Sequence, residues 1–275
     1  MVGPEPCALA TCLVCRRSPR RAMAAVALRP RPGNPFAGSF RRSPPVRFRS
    51  PGRWGAAAAH APPRLVLLDR DGVLNGDVGP PGVLAEDQLR LCPGAGRAVA
   101  RLTSAGAICV VVTNQSCVGK GLVTEDCLRG IHSALRRALQ AEDPGAVLAD
   151  ILVATETEAG TEADGWKKPG GGMPLRALRD AGVHPRDAVF VGDTLGDMRS
   201  ASNAAISRRF LVAAGYHGQQ FADALPPNAF LPLTVTSPGF AGIPEDVVAF
   251  APVTLVPDLL TAADLMLLVD GQINS

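Results

Sequence analysis

The stretch Leu65-Val66-Leu67-Leu68-Asp69-Arg70-Asp71-Gly72 decides the fold, because it joins an apolar run to two carboxylates and a glycine. The apolar run is typical of a buried parallel strand. Side chains alternate along an extended backbone, so Asp69 and Asp71 are expected to point the same way and Arg70 elsewhere. Gly72 then allows a tight turn. The sequence therefore predicts two carboxylates at the carboxyl end of a central strand, where open α/β sheets bind ligands.

The paired carboxylates predict phosphoryl chemistry. A carboxylate can attack a phosphoryl group, and a second one beside it can handle the proton of the leaving group. Three further motifs carry the other groups that this chemistry needs: Thr113-Asn114-Gln115-Ser116, Lys167-Lys168-Pro169, and Gly192-Asp193 with Asp197 after it. A hydroxyl and a Lys can hold phosphate oxygens, and carboxylates can hold a hard cation that screens the nucleophile from the phosphate.

From residue 64 onward, strand-like and helix-like stretches alternate. This alternation predicts an α/β fold with a Rossmann-like parallel sheet and helices on both faces. The predicted strands are 64–69, 108–113, 149–154 and 188–191, with outer strands at 210–213 and 253–256. The predicted helices begin near 93 and 197 or span 124–140, 173–181 and 259–268. The stretch 219–242 is rich in Pro and has no clean period, so it is predicted to be a loop excursion.

Charge divides the chain into two parts. Residues 1–63 contain eleven Arg, no Lys and one acidic residue, Glu5, for a net charge of +10. Residues 64–275 hold the other 17 basic and 24 acidic residues, for a net charge of −7. An Arg-rich, acid-poor leader is typical of organellar transit peptides, so 1–63 is predicted to be a disordered transit peptide, plastid before mitochondrion. The folded domain is then predicted over 64–275.

Together the four motifs resemble those of the haloacid dehalogenase (HAD) superfamily, and the resemblance covers most of 64–275. It implies that Asp69 is the nucleophile, which forms an aspartyl-phosphate, and that Asp71 is the general acid and then the general base. Thr113 and Lys168 would bind the transferring phosphoryl group. An Asp two residues after the nucleophile marks the phosphatases of the superfamily.

The same resemblance implies a magnesium site. Mg²⁺ would be held by Asp69, the carbonyl of Asp71 and Asp193, with Asp197 nearby. Oxygen ligands of this kind suit a hard divalent cation.

Within the superfamily, Asp-Arg-Asp-Gly ending in Asn75, together with Thr-Asn-Gln-Ser, is similar to the heptose-bisphosphate and histidinol-phosphate phosphatases. These members have a core without a separate cap domain, and the stretches 76–92 and 114–167 leave no room for a large inserted domain. The leading substrate is therefore a sugar phosphate of the heptose 1,7-bisphosphate type, and histidinol phosphate is the alternative. A 3′-phosphatase for nucleic-acid ends is disfavoured by the acidic domain.

Two features differ from the bacterial members of that group. Those members usually carry a zinc loop of Cys and His before the Lys-Pro motif, whereas 156–166 contains neither residue type, so no structural zinc is expected. Lys120 and Lys167 stand where Arg is usual, and an Arg fork grips a second phosphate more specifically than a Lys does. Asn114, Lys120 and Lys167 are the candidate substrate contacts beside Thr113 and Lys168.

The predicted partner is a small-molecule phosphomonoester. Nucleic acid is disfavoured by the acidic domain and is not expected as a partner. The sequence contains no run of eighteen apolar residues, so no membrane span is expected. No coiled-coil pattern is present, and a monomer is predicted. A reading from another class, a non-catalytic phosphate-binding protein, predicts the loss of at least one motif residue, yet all are present: Asp69, Asp71, Lys168 and Asp193.

Overall fold

The computed structural model describes residues 61–158, 160, 162–225, 230–236, 245–269 and 272–273. The predicted transit peptide lies almost wholly outside these residues. So do 226–229 and 237–242 of the predicted loop excursion.

A seven-stranded sheet forms the centre of the described fold. Its strand order is β3-β2-β1-β4-β5-β7-β6, and every neighbouring pair is parallel except β6 with β7. The predicted α/β class with a mostly parallel sheet is confirmed. The strands are β1 Leu65–Leu68, β2 Ile108–Asn114, β3 Asp150–Ala154, β4 Ala188–Gly192, β5 Arg208–Val212, β6 Leu233–Val235 and β7 Val253–Val256. A short antiparallel pair follows, β8 Leu268–Val269 with β9 Gln272–Ile273.

Helices cover both faces of the sheet. They are α1 Ala95–Ser104, α2 Ser116–Gly119, α3 Glu125–Glu142, α4 Gly172–Ala181, α5 Leu195–Asn203, α6 Gly215–Asp223, α7 Glu245–Val248 and α8 Leu259–Leu267. The strand β1 shows why two layers are needed, because all four of its side chains are fully buried. Val66 and Leu68 pack with α1, α3 and α8, whereas Leu65 and Leu67 pack with α4 and α5.

The part of the sheet formed by β5, β7 and β6 differs from the prediction. The strand predicted as outer at 210–213 lies inside the sheet as β5, between β4 and β7. The loop prediction for 219–242 is wrong in its described part, which contains the end of α6 and the antiparallel edge strand β6. The strand β6 has only three residues, which are too few to show the alternating pattern of a strand, so the sequence did not predict it.

The helix predicted from 197 begins two residues earlier, at Leu195. Thr194 caps it, since its hydroxyl accepts a hydrogen bond from the Asp197 amide at 3.2 Å. The Asp197 carboxylate in turn accepts from the Thr194 amide at 3.1 Å, which completes a capping box. The capping box fixes the Asp197 side chain at the start of α5.

No inserted domain interrupts the described core. Between β1 and α1 the chain forms only a 3-10 turn, Glu86–Gln88, and between β2 and α3 only the four-residue α2. This confirms the expected core without a large cap. Among the described residues, no helix is both long and apolar enough to cross a bilayer.

The packing of α3 on the sheet gives a stability prediction. Leu135 of α3 is fully buried, whereas Leu122 before α3 is half exposed. Leu135→Ala should lower the free energy of unfolding by about 2–5 kcal/mol, because it leaves a cavity in the core. Leu122→Ala should change the same free energy by less than about 0.5 kcal/mol. Urea unfolding of both variants checks this, and equal losses would contradict the packing described.

Candidate active site

Three neighbouring strands bring the predicted site residues to one edge of the sheet. Leu68 of β1 is in register with Val111 of β2 and Val191 of β4. Asp69 and Asp193 directly follow β1 and β4, and Thr113 is the penultimate residue of β2. Because these strands are parallel, all three side chains come from their carboxyl ends, as predicted.

A buried lysine is the centre of this edge. The Nζ atom of Lys168 lies 2.8 Å from Oδ1 of Asp69 and 2.7 Å from Oδ1 of Asp197. All three residues are buried. A charge away from water is stable only when it is paired, so each of these ions depends on the others.

Asn114 holds the backbone of Lys168. Its side-chain oxygen accepts from the Lys168 amide at 3.0 Å, and its Nδ2 donates to the Lys168 carbonyl at 2.9 Å. The predicted substrate contact at Asn114 is thus engaged with the protein itself. The two bonds fix the start of the Lys168 side chain and so direct its ammonium group into the cluster.

Crowding of carboxylates shifts the pKa values at this edge. Burial, and next the charge of Asp197, raise the pKa of Asp69 to about 7, although Lys168 opposes them. Burial and the charges of Asp69 and Asp197 raise the pKa of Asp193 to about 9. Burial alone would lower the pKa of Lys168, but Asp197 and Asp69 outweigh it and raise that pKa. The cluster therefore has three carboxylates beside one ammonium group, and the raised pKa values show that they are not all ionised together near neutral pH.

The carboxylates also fit a divalent cation. Asp69, Asp193 and Asp197 each offer an oxygen, and the three oxygens lie within 4.8 Å of one another. Oδ2 of Asp193 is buried and accepts no hydrogen bond from the described residues. A Cβ at Gly72 would overlap that oxygen, so only glycine lets the chain pass it. An all-oxygen set of this kind suits Mg²⁺. The Asp71 carbonyl as a further ligand stays a prediction.

Asp71 is held by three side chains. Nη2 of Arg70 donates to both of its oxygens, at 3.1 and 2.9 Å. Nδ2 of Asn75 donates to Oδ1 at 2.8 Å, and Nε2 of Gln115 donates to Oδ2 at 2.9 Å. Burial raises the pKa of Asp71, but the Arg70 charge and these hydrogen bonds outweigh it and bring the pKa below its ordinary value.

The prediction that Arg70 points elsewhere is wrong. The strand β1 ends at Leu68, and the amides of Leu74 and Asn75 then bond the Arg70 carbonyl in a turn. Alternation holds only in extended backbone, so it does not apply at Arg70. The Arg70 side chain is fully buried and returns to Asp71.

Two residues of this network were not predicted. Nη1 of Arg70 donates to Nε2 of His132 at 3.2 Å, and burial and the Arg70 charge lower the pKa of His132 to about 4. Gln115 also donates to the Thr113 hydroxyl at 2.9 Å, so it joins Thr113 to Asp71. The position of Gln115 in the Thr-Asn-Gln-Ser motif was a usable signal. His132 lies 62 residues from Arg70, and no sequence pattern connects them.

The other two predicted lysines lie outside the carboxylate cluster. Nζ of Lys167 donates to Oγ of Ser116 at 2.8 Å and to the carbonyls of Glu156 and Thr157 at 2.8 and 2.7 Å. Burial and the charge of nearby Lys120 lower the pKa of Lys167. Lys120 itself is exposed. The structure thus gives Lys167 a role in closing the loop after β3, and places Lys120 near it.

Comparisons with known proteins agree with this geometry. The HAD-hydrolase-like family profile matches residues 165–232. The chain is 32% identical over 156 residues to D-glycero-beta-D-manno-heptose-1,7-bisphosphate 7-phosphatase of Haemophilus ducreyi, covering 55% of this chain and 84% of that relative. It is 36% identical over 151 residues to D-glycero-D-manno-heptose-1,7-bisphosphate 7-phosphatase of Thermosynechococcus vestitus, covering 52% of this chain and 76% of that relative.

A solved structure is similar over a longer part of the chain. It is the D,D-heptose 1.7-bisphosphate phosphatase from B. bronchiseptica, complexed with magnesium and phosphate. The match has a TM-score of 0.59 and 29% identity, and covers 74% of this chain and 98% of that one.

The fold and these likenesses define the class of the protein as a HAD-like phosphoric monoester hydrolase. Within that class, the chain belongs to the family of its heptose-1,7-bisphosphate 7-phosphatase relatives. The resemblance stated from the four motifs is therefore confirmed.

The unpartnered Asp193 oxygen gives a prediction about metal and pH. The folded pKa of Asp193, about 9, is above its ordinary value of 3.8, so the unfolded chain releases this proton first. Stability without metal should therefore fall as the pH rises between these two values, and Mg²⁺ should restore it. Asp193→Asn should lessen both the loss of stability as the pH rises and the stability gained on adding Mg²⁺.

Thermal unfolding across this pH range, with EDTA or with Mg²⁺, measures both effects. Each kcal/mol should appear as a shift of about 2–4 °C in Tm. The exposed Asp126→Asn is the matched control, and it should behave as the parent does. An equal rise in Tm on adding Mg²⁺ to the parent and to Asp193→Asn would contradict Asp193 as a ligand of the cation.

Proposed function

We propose that this protein hydrolyses a sugar phosphomonoester of the heptose 1,7-bisphosphate type, with Asp69 as nucleophile and Mg²⁺ as cofactor. The observation that carries the proposal is the Lys168 ammonium group, 2.8 Å from Asp69 and buried beside the unpartnered oxygen of Asp193. It joins a nucleophile, a phosphate ligand and a cation ligand in one cluster. The names of the relatives support the sugar over histidinol phosphate.

Asp69 is oriented for attack by two contacts on one oxygen. Oδ1 accepts from the Arg70 amide at 2.6 Å and lies 2.8 Å from Lys168 Nζ. This leaves Oδ2 to form the bond to phosphorus. As that bond forms, the bond from phosphorus to the leaving oxygen breaks, and Asp69 becomes an aspartyl-phosphate.

Asp71 moves the protons in both steps. It gives a proton to the leaving oxygen in the first step, and in the second it takes one from the water that attacks phosphorus. The bond between phosphorus and Asp69 then breaks, and phosphate leaves. The proton taken from water is the one returned to the next leaving group. The contacts from Arg70, Asn75 and Gln115 orient Asp71, and because they lower its pKa they favour the ionised form that takes the proton from water.

Thr113 and Lys168 bind the phosphoryl oxygens. The Thr113 hydroxyl accepts from Gln115, so its own proton is available to a phosphate oxygen. The raised pKa of Lys168 keeps this group charged throughout the neutral range. Mg²⁺ would be held by Asp69, Asp193 and Asp197, and it would supply positive charge between the nucleophile and the phosphate.

We infer the location of the protein from residues 1–63 alone. An Arg-rich and acid-poor segment supports an organellar transit peptide, plastid before mitochondrion. A fluorescent fusion of 1–63 in plant cells tests the location, and a diffuse cytoplasmic signal would contradict it.

The acidic domain supports a small-molecule substrate over nucleic acid, and we propose a monomer that binds no membrane.

The proposed substrate is tested directly by phosphate release. Residues 64–275 are incubated with Mg²⁺ and heptose 1,7-bisphosphate, hexose bisphosphates or histidinol phosphate. Heptose 1,7-bisphosphate should have the highest kcat/KM, and Asp69→Asn should reduce release to the buffer background because it removes the nucleophile. Asp126→Asn, an exposed acid on α3, is the control and should keep the parental rate. A preference for histidinol phosphate would overturn the sugar assignment.

The role of Gln115 predicts a dependence on the leaving group. Gln115→Leu removes the donor shared by Asp71 and Thr113. Hydrolysis of alkyl phosphates should fall about 10²-fold in kcat/KM, because an alkoxide needs the proton from Asp71. Hydrolysis of p-nitrophenyl phosphate should fall less than about tenfold, since its leaving group needs little help. Exposed Ser133→Ala serves as control, and equal losses on both substrates would contradict the role of Asp71.

A further inference from the structure

A contact joins the elements that follow two non-adjacent strands. The loop after β1 and the helix α6 after β5 meet where Oδ2 of Asp77 lies 3.6 Å from Nε2 of His217. The ring of Tyr216 lies against Gly79, where a Cβ would come within 3.4 Å of it. In the sheet, β4 lies between β1 and β5. The contact therefore passes over the carboxyl end of β4, where Asp193 lies.

The loop after β1 that carries Asp77 also passes the carboxylate cluster, because a Cβ at Gly72 in that loop would overlap Oδ2 of Asp193. After burial and the charges of Asp69 and Asp197, Asp77 contributes to the raised pKa of Asp193. The Asp77 side chain is mostly buried, although it belongs to a surface loop. The contact thus lies at the rim of the site that contains the carboxylate cluster.

Tyr216 is well exposed at this rim. Its relative exposure is 63%, and the ring meets the His217 ring edge to face with centroids 4.9 Å apart. An exposed aromatic ring offers an apolar surface with a polar hydroxyl at its end. Since the described core has no cap domain, side chains at this rim are open to the non-reacting part of a substrate.

We propose that Tyr216 is a specificity-determining residue, whose ring packs against the carbon face of the sugar or polyol part of the phosphomonoester. This inference rests on the proposed phosphatase function and names the contact that selects for the leaving group. Asp77 and His217 are positioning residues, because their contact holds the start of α6 over the loop. Asp77 also accepts a hydrogen bond from the Gly79 amide at 2.9 Å, which fixes the backbone beneath the ring.

Kinetics with two substrates test the contact. Tyr216→Ala should raise KM for heptose 1,7-bisphosphate about tenfold with little change in kcat, because the lost packing is worth roughly one aromatic contact. The effect on acetyl phosphate, whose leaving group has no sugar face, should be much smaller. Tyr216→Phe should keep the parental KM. Val147→Ala, an exposed apolar side chain before β3 at the opposite edge, is the control and should alter neither substrate.

A binding measurement does not depend on turnover. Tyr216 is the single tyrosine of the chain, so 3-fluorotyrosine gives one ¹⁹F resonance. In the Asp69→Asn variant with Mg²⁺, heptose 1,7-bisphosphate should shift this resonance, whereas inorganic phosphate should leave it in place.

The outcomes separate the two proposals. An unshifted resonance with bound sugar phosphate, shown by calorimetry, would overturn the role of Tyr216 alone. An unchanged ratio of kcat/KM for heptose 1,7-bisphosphate to kcat/KM for acetyl phosphate in Tyr216→Ala would also overturn that role alone. If the parent releases phosphate from no substrate, the proposed function is overturned, and the role of Tyr216 with it.

Discussion

The ion pairs of Lys168 are the interaction on which the rest of the site depends. One buried ammonium group lies between Asp69 and Asp197, at 2.8 and 2.7 Å, with the third buried carboxylate of Asp193 beside them. Removing such charges from water is unfavourable unless they are paired. Here three carboxylates share one ammonium group. A divalent cation would pair with the remaining carboxylates and so stabilise a site of this kind.

The position of Lys168 is fixed by elements on both sides of it. Asn114 of β2 bonds its backbone twice, which ties the Lys-Pro loop to the strand that also carries Thr113. On the other side, α5 bonds the residues that follow, since the Ser200 hydroxyl donates to the carbonyl of Gly170 at 2.6 Å. The helix that supplies Asp197 thus also holds the loop that supplies its partner. Both partners of the ion pair are positioned before any ligand binds.

The sequence predicted which residues meet at one edge of the sheet better than it predicted the details of the fold. Parallel strands align their carboxyl ends, so motifs far apart in sequence could be assigned to one crevice once the strands were identified. Arg70 was misplaced because the strand ends two residues before it, and alternation does not extend into a turn. Asn114, predicted as a substrate contact, bonds the Lys168 backbone, and its motif carries no sign of that partner. The edge strand Leu233–Val235 was missed, since three residues show no period.

Trapping the covalent intermediate identifies the residue that attacks phosphorus. The protein with Mg²⁺ and heptose 1,7-bisphosphate is quenched during turnover and treated with borohydride, which reduces an acyl phosphate to an alcohol. Peptide mass spectrometry should find homoserine in place of Asp69 and should find Asp71 and Asp193 unchanged. Phosphate release without homoserine in place of Asp69, or with homoserine in place of Asp193, would contradict Asp69 as the nucleophile.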